Sequence, residues 1–170
     1  MNTLRTVALA ATLISCKLFA ADSVNVSVTG NIVASPCIFN GGNNNLDINL
    51  GNIQASNMAT PGSISDPVPF SLLFTQCPAG TSSVTVSFTG NTDPVAGADY
   101  YMNNGSATRV AIAMSETETG TLKGTGTSIT QTVAADRTAT MAMKAWVKSV
   151  SGGATPGSIS AVVVMTMQYN

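Results

Sequence analysis

Toward the end of the chain, Ile159, Ala161, Val163, Met165, Met167 and Tyr169 alternate with Ser160, Val162, Val164, Thr166 and Gln168. Period-two alternation predicts a strand with one face against a core. The intervening positions are polar at both ends of the run and Val in its middle. A second alternating run lies near the start: Val24, Val26, Val28, Gly30 and Ile32, separated by Asn25, Ser27, Thr29 and Asn31. Two amphipathic strands at opposite ends, the first leading toward Cys37, imply a protein that joins end to end with its own kind.

Between these runs the same period recurs in short pieces. Ser35-Pro36 interrupts the chain before Cys37, and residues 40–45 (NGGNNN) predict a turn before Leu46, Ile48 and Leu50 alternate again. Val68–Thr75 reads as a mostly apolar strand leading to Cys77, and Pro78-Ala79-Gly80 as a turn. Further strands are predicted at Val84/Val86/Phe88, at Val110/Ile112/Met114 and over Ile129–Val133. The last internal strand covers 140–148, with Met141, Met143, Ala145 and Val147 on one side. By their Gly, Asn, Asp and Pro content, residues 90–99 and 103–106 read as loops. No segment sustains a helical period. The expected fold is therefore all-β, an antiparallel Greek-key or immunoglobulin-like sandwich. The Met residues and Trp146 are expected to fill its core.

Composition narrows the function more than the fold. A chain of 170 residues supports one core rather than two. Only 9% of residues are charged, which suits a turn-rich sandwich with a fibre-forming surface. Arg109, Lys123, Arg137, Lys144 and Lys148 are scattered among acids, as on an ordinary solvated surface, so no nucleic-acid partner is expected. Histidine is absent, which excludes Ser-His-Asp and Cys-His catalysis and removes the commonest metal ligand. The aspartates are widely separated, and Glu116 and Glu118 fall in a Thr/Gly-rich stretch, without the pattern of a carboxylate pair or a Ca²⁺ loop. Neither an enzyme, a catalytic residue, a cofactor, a metal nor a small-molecule substrate is expected.

The N-terminus carries an export signal. Met1–Arg5 is a short positive region, Val7–Ile14 an apolar run, and Leu18-Phe19-Ala20 a cleavage site. Residues 1–20 are the expected signal peptide. Leu13-Ile14-Ser15-Cys16 also fits a lipobox, in which Cys16 would be acylated and become the mature start. In either case Cys37 and Cys77 remain in the exported protein. An even pair in an oxidising compartment reads as a disulfide, against the alternative of two free thiols.

Taken jointly, these features resemble the chaperone–usher pilus subunits, most closely the minor subunits of type 1 fimbriae. The resemblance rests on Ala21-Asp22-Ser23 running into the alternating segment with Gly30, and on the spacing of Cys37 and Cys77 with Cys77-Pro78-Ala79-Gly80-Thr81. It rests also on Tyr100-Tyr101 with Asn104-Gly105, and on Gly157 fourteenth from the end with Tyr169 penultimate. It implies an immunoglobulin-like pilin fold over 34–170 that lacks its seventh strand. Residues 21–33 would be a donor extension, with Val24, Val26, Val28, Gly30 and Ile32 facing a neighbour's groove. Gly157, Ile159, Ala161, Val163, Met165, Met167 and Tyr169 would border this chain's own acceptor groove, which a periplasmic chaperone fills first. At an outer-membrane usher the next subunit's extension would replace the chaperone, a mode known as donor-strand complementation. The chain would then travel through the periplasm to the surface fimbrium and support adhesion there. The resemblance favours a tip adaptor or minor subunit and leaves a rod-forming major subunit open. A self-contained secreted β-sandwich that binds a ligand is the competing reading.

Overall fold

A computed structural model describes residues 23–32 and 36–170 of the chain. The expected signal peptide 1–20, the lipobox residue Cys16, the expected start Ala21-Asp22 and residues 33–35 lie outside the described residues. The chain divides into two units, Met1–Asn31 and Ile32–Asn170. In the first, residues 23–31 form neither helix nor ladder, and their side chains are exposed.

The second unit is all-β. Its strands are β1 Ile38–Phe39, β2 Val68–Thr75, β3 Ser83–Gly90, β4 Thr92–Asp93, β5 Gly97–Met102, β6 Val110–Glu116, β7 Ser128–Thr132, β8 Ala139–Ser149 and β9 Val163–Tyr169. Two short 3-10 turns, Asn40–Gly42 and Ala55–Met58, are its helical pieces. One sheet has the order β1-β2-β8-β6-β5-β4 and the other β7-β3-β9, with antiparallel pairing throughout. The core lies between them: Leu72 and Phe74 of β2, Met141 and Met143 of β8 and Met114 of β6 meet Val84, Val86 and Phe88 of β3.

The predicted strands in β2, β3, β6, β7 and β8 are present at the expected places. On β8, residues 139, 141, 143, 145 and 147 are buried while the residues between them are half-buried or exposed. That alternation corrects one expectation. Trp146 is even-numbered, so it stands on the outer face, in register with Ala113, and is only half-buried. Lys148 lies on the same outer face, its ammonium 4.1 Å from the Tyr100 ring centroid and 3.0 Å from the Tyr100 hydroxyl.

The stretch 90–99 is also not simply a loop. The Asp93 carboxylate accepts the N–H groups of Val95 (2.9 Å) and Ala96 (2.7 Å), closing a tight turn that folds β4 onto β5. Pro94, Val95 and Ala96 make the hairpin tip, and Gly97 opens β5. Tyr101 of β5 is buried and donates to the Lys123 carbonyl at 2.8 Å, and burial pushes its phenol up to about 12.

Cys37 and Cys77 are bridged, with their Cα atoms 4.2 Å apart, and both are buried. The bridge anchors the entrance to β1 against the exit of β2. In the chain-entropy picture, a link across 40 residues stabilises the fold by up to about 4 kcal/mol.

Candidate functional site

Among the described residues β9 is the edge of its sheet, with β3 on one side and no strand on the other. The side facing the gap follows from hydrogen-bond phase. Asn170 donates to Ser83 at 3.0 Å and accepts from it at 3.1 Å, so this opposed pair exchanges both bonds. In an antiparallel ladder such pairs alternate with pairs whose backbone groups point away from each other. Register places Gln168, Thr166 and Val164 opposite Thr85, Ser87 and Thr89, in the bonded phase. Val163, Met165, Met167 and Tyr169 therefore turn their N–H and C=O groups toward the open side. These same odd-numbered residues direct half-buried side chains at the core.

Across the gap lies the segment 46–50. Leu46, Ile48 and Leu50 are half-buried against the core while Asp47 and Asn49 are exposed. The sequence pattern is thus real, yet the segment belongs to no strand. Between it and β9 runs a cleft of about 450 Å³, floored by Phe70, Phe88, Ile112 and Met114. Ile159, Ala161, Val163 and Met165 line its other wall. An unpaired edge above an apolar floor is a template for one more strand.

Among the residues expected at this site, Ile159, Ala161, Val163 and Met165 come together along the cleft, and Met167 and Tyr169 continue the row. Tyr169 packs edge-on to Phe74 at 6.4 Å, and burial raises its phenol above the ordinary range. The ladder itself begins only at Val163, not at Ile159, because β3 ends at Gly90 opposite Val163. Gly157 lies upstream, where an added Cβ would collide with the backbone of Ser106 and Ala107. At the other end of the chain, Val24 and Val26 are each 82% exposed, Val28 88% and Ile32 fully so. Apart from its own chain neighbours, no atom of the described residues lies within 4 Å of where a Gly30 Cβ would stand.

One partly buried ion pair has no counterpart in the sequence pattern. Lys123, expected on a solvated surface, is 6% exposed and bonds Glu116 at 2.6 Å and the Ser128 carbonyl at 2.8 Å. Glu116 closes β6 and Ser128 opens β7, so one ammonium ties the two sheets together at this point. Hydrogen bonds from Lys123 and then from Thr119 hold the Glu116 carboxyl below its usual range. Among the described residues, no group of three or more acidic or Cys side chains could hold a metal ion.

The family model described as fimbrial protein matches residues 26–170. Protein FimG of Escherichia coli strain K12 is 32% identical over 158 residues, covering 93% of this chain and 91% of that protein. The S-fimbrial adhesin protein SfaS of Escherichia coli O6:K15:H31 is 32% identical over 169 residues, covering 98% of each. Among solved structures, the P pilus rod subunit PapA superposes with a TM-score of 0.67 at 22% identity, over 80% of this chain and all of that one. At that identity the likeness speaks for the fold alone, an immunoglobulin-like pilin sandwich.

Proposed function

Because this chain belongs to the fimbrial protein family, as a subunit of a chaperone–usher pilus, we propose that it polymerises by donor-strand exchange, as a tip adaptor or other minor subunit supporting adhesion. Its place is the cell-surface fimbrium, reached through the periplasm. Its relatives are structural pilus subunits rather than enzymes, and as a subunit it contacts others of the fibre.

The observation that carries the reading is the cleft between 46–50 and the open edge of β9. A strand seated there would pair with the free backbone groups of the odd-numbered residues and cover the exposed core. A periplasmic chaperone is the first expected donor and the N-terminal extension of the next subunit the second, exchanged at the usher. In return, residues 21–33 serve a neighbour. Val24, Val26, Val28 and Ile32 are exposed aliphatic side chains on one face of an alternating run. Burying each contributes roughly 1.5–3 kcal/mol, about 6–12 kcal/mol for the four before ordering costs. Gly30 interrupts that face where the accepting backbone would approach closely.

The test is peptide capture. A synthetic peptide copying residues 21–33, added to the dilute exported chain, is expected to form a one-to-one complex that unfolds far more slowly than the free protein. A chain of unchanged stability with no bound peptide would make the self-contained binding module the better reading.

A further inference from the structure

The cleft extends beyond the sheet that ought to support it. β3 ends opposite Val163, yet Ile159 and Ala161 still line the groove and point half-buried side chains inward. A different element takes over from β3. In the turn 103–107, the Asn104 N–H donates to the Ser160 carbonyl at 2.7 Å and the Ala107 N–H to the Ser158 carbonyl at 3.0 Å. The Ser160 N–H donates to Asn103 Oδ1 at 2.8 Å, and the same oxygen accepts the Gly105 N–H at 3.0 Å. Asn103 Nδ2 donates to the Ala107 carbonyl at 2.8 Å and reaches the Ser158 carbonyl at 3.4 Å. Ser106 and Ser158 bond one another through both backbone and hydroxyl groups.

Phase makes this arrangement specific. Ser158 and Ser160 are even-numbered, like Val164, Thr166 and Gln168, which face β3. The turn therefore occupies the place of the missing β3 ladder and bonds the same parity of residue. The backbone groups of Ile159 and Ala161 have no partner among the described residues and point the other way, into the groove. Two glycines allow the close approach. A Cβ on Gly105 would overlap the Ser158 carbonyl, and one on Gly157 the Ala107 nitrogen.

Resting on the acceptor reading above, we propose that turn 103–107 is a surrogate strand that extends the acceptor edge back to Ile159 and Ala161, and that Asn103 is its positioning residue. Without Asn103, the segment 158–161 would lose the support that presents its free N–H and C=O groups to an incoming strand, while β9 would stay in place.

The test uses the full exported chain with its disulfide intact and a fluorescent peptide copying residues 21–33, with versions shortened by a few residues at either end. Asn103→Ala is expected to weaken the full peptide about tenfold, the loss of roughly one to two hydrogen bonds. One of the two shortened peptides, no longer reaching Ile159, should bind parent and variant alike. Asn103→Asp keeps the acceptor oxygen and should recover part of the loss. Residue-resolved hydrogen exchange on the parent provides a reading that needs no variant. The Ser160 amide should be protected with or without peptide, and the Ile159 and Ala161 amides only with it. Equal affinity of N103A for the full peptide would overturn the proposal. So would an equal loss with all three peptides, or Ile159 and Ala161 amides unchanged by peptide. A parent chain that takes up no peptide at all overturns the acceptor reading itself, and this proposal with it.

Discussion

Val163→Asp puts the groove to its most direct test. Val163 is half-buried, sits opposite Gly90 at the start of β9, and lines the middle of the cleft between Ala161 and Met165. In the free chain a carboxylate there still reaches water through the open cleft, so the fold should survive the change. Once a donor strand covers the cleft, the charge is buried without a partner. The effective cost of such burial is several kcal/mol, against a donor contribution of about 6–12 kcal/mol from four aliphatic side chains. A penalty of about 3–5 kcal/mol corresponds to a loss of roughly two to four orders of magnitude in affinity. The assay is fluorescence anisotropy with the 21–33 peptide, beside thermal unfolding of the free proteins. Val162→Asp is the control, because Val162 is 70% exposed on the outer face one residue away. V162D should bind as the parent does. Parent-like binding by V163D, or an equal loss in V162D, would refute the reasoning.

Gly30→Leu should leave the chain's own folding and thermal stability unchanged, since among the described residues nothing beyond its chain neighbours lies within 4 Å of an added Cβ. Overpacking a neighbour's groove costs about 1–3 kcal/mol, so the variant should bind chaperone normally but load onto a neighbouring subunit roughly 5- to 150-fold less well; normal incorporation into fibres contradicts the donor role. Replacing Cys37 and Cys77 together with Ser should remove up to about 4 kcal/mol from a domain stable by about 5–15 kcal/mol. Urea unfolding and the yield of folded protein measure this, and unchanged values would show the bridge to be dispensable. Glu116 has a folded pKa lowered by Lys123 and Thr119, so its stabilisation is present above the unfolded value and is lost as pH falls through the folded one. Glu116→Gln should therefore be less stable than the parent at pH 7, by about 1 kcal/mol once solvent screening is allowed for. The gap should close as pH falls through the lowered pKa of the parent's Glu116. A pH-independent difference in melting temperature would show that the charge is not the cause.

What the sequence alone determined about this protein is which residues share a face. The alternation of Ile159–Tyr169 and of Met141–Val147 reports a two-residue period that each strand imposes on itself, and it survives into the folded chain with its parity intact. The two exported cysteines, the absence of histidine and the exposed-looking N-terminal run were equally legible, because each follows from residue identity and order. Edges and neighbours are a different matter. That β9 stands at a sheet edge, that its odd-numbered backbone groups face the gap, and that 46–50 forms the far wall depend on strand order, which no local period encodes. Trp146 departs from expectation because its type suggests a core while its parity on β8 puts it outside. Lys123 departs from expectation because its partner Glu116 and the Ser128 carbonyl reach it only when β6 and β7 are brought together. The 103–106 stretch reads as a plain turn in the sequence. Only the tertiary structure sets it beside 158–160, where its hydrogen bonds continue a ladder that β3 has already left.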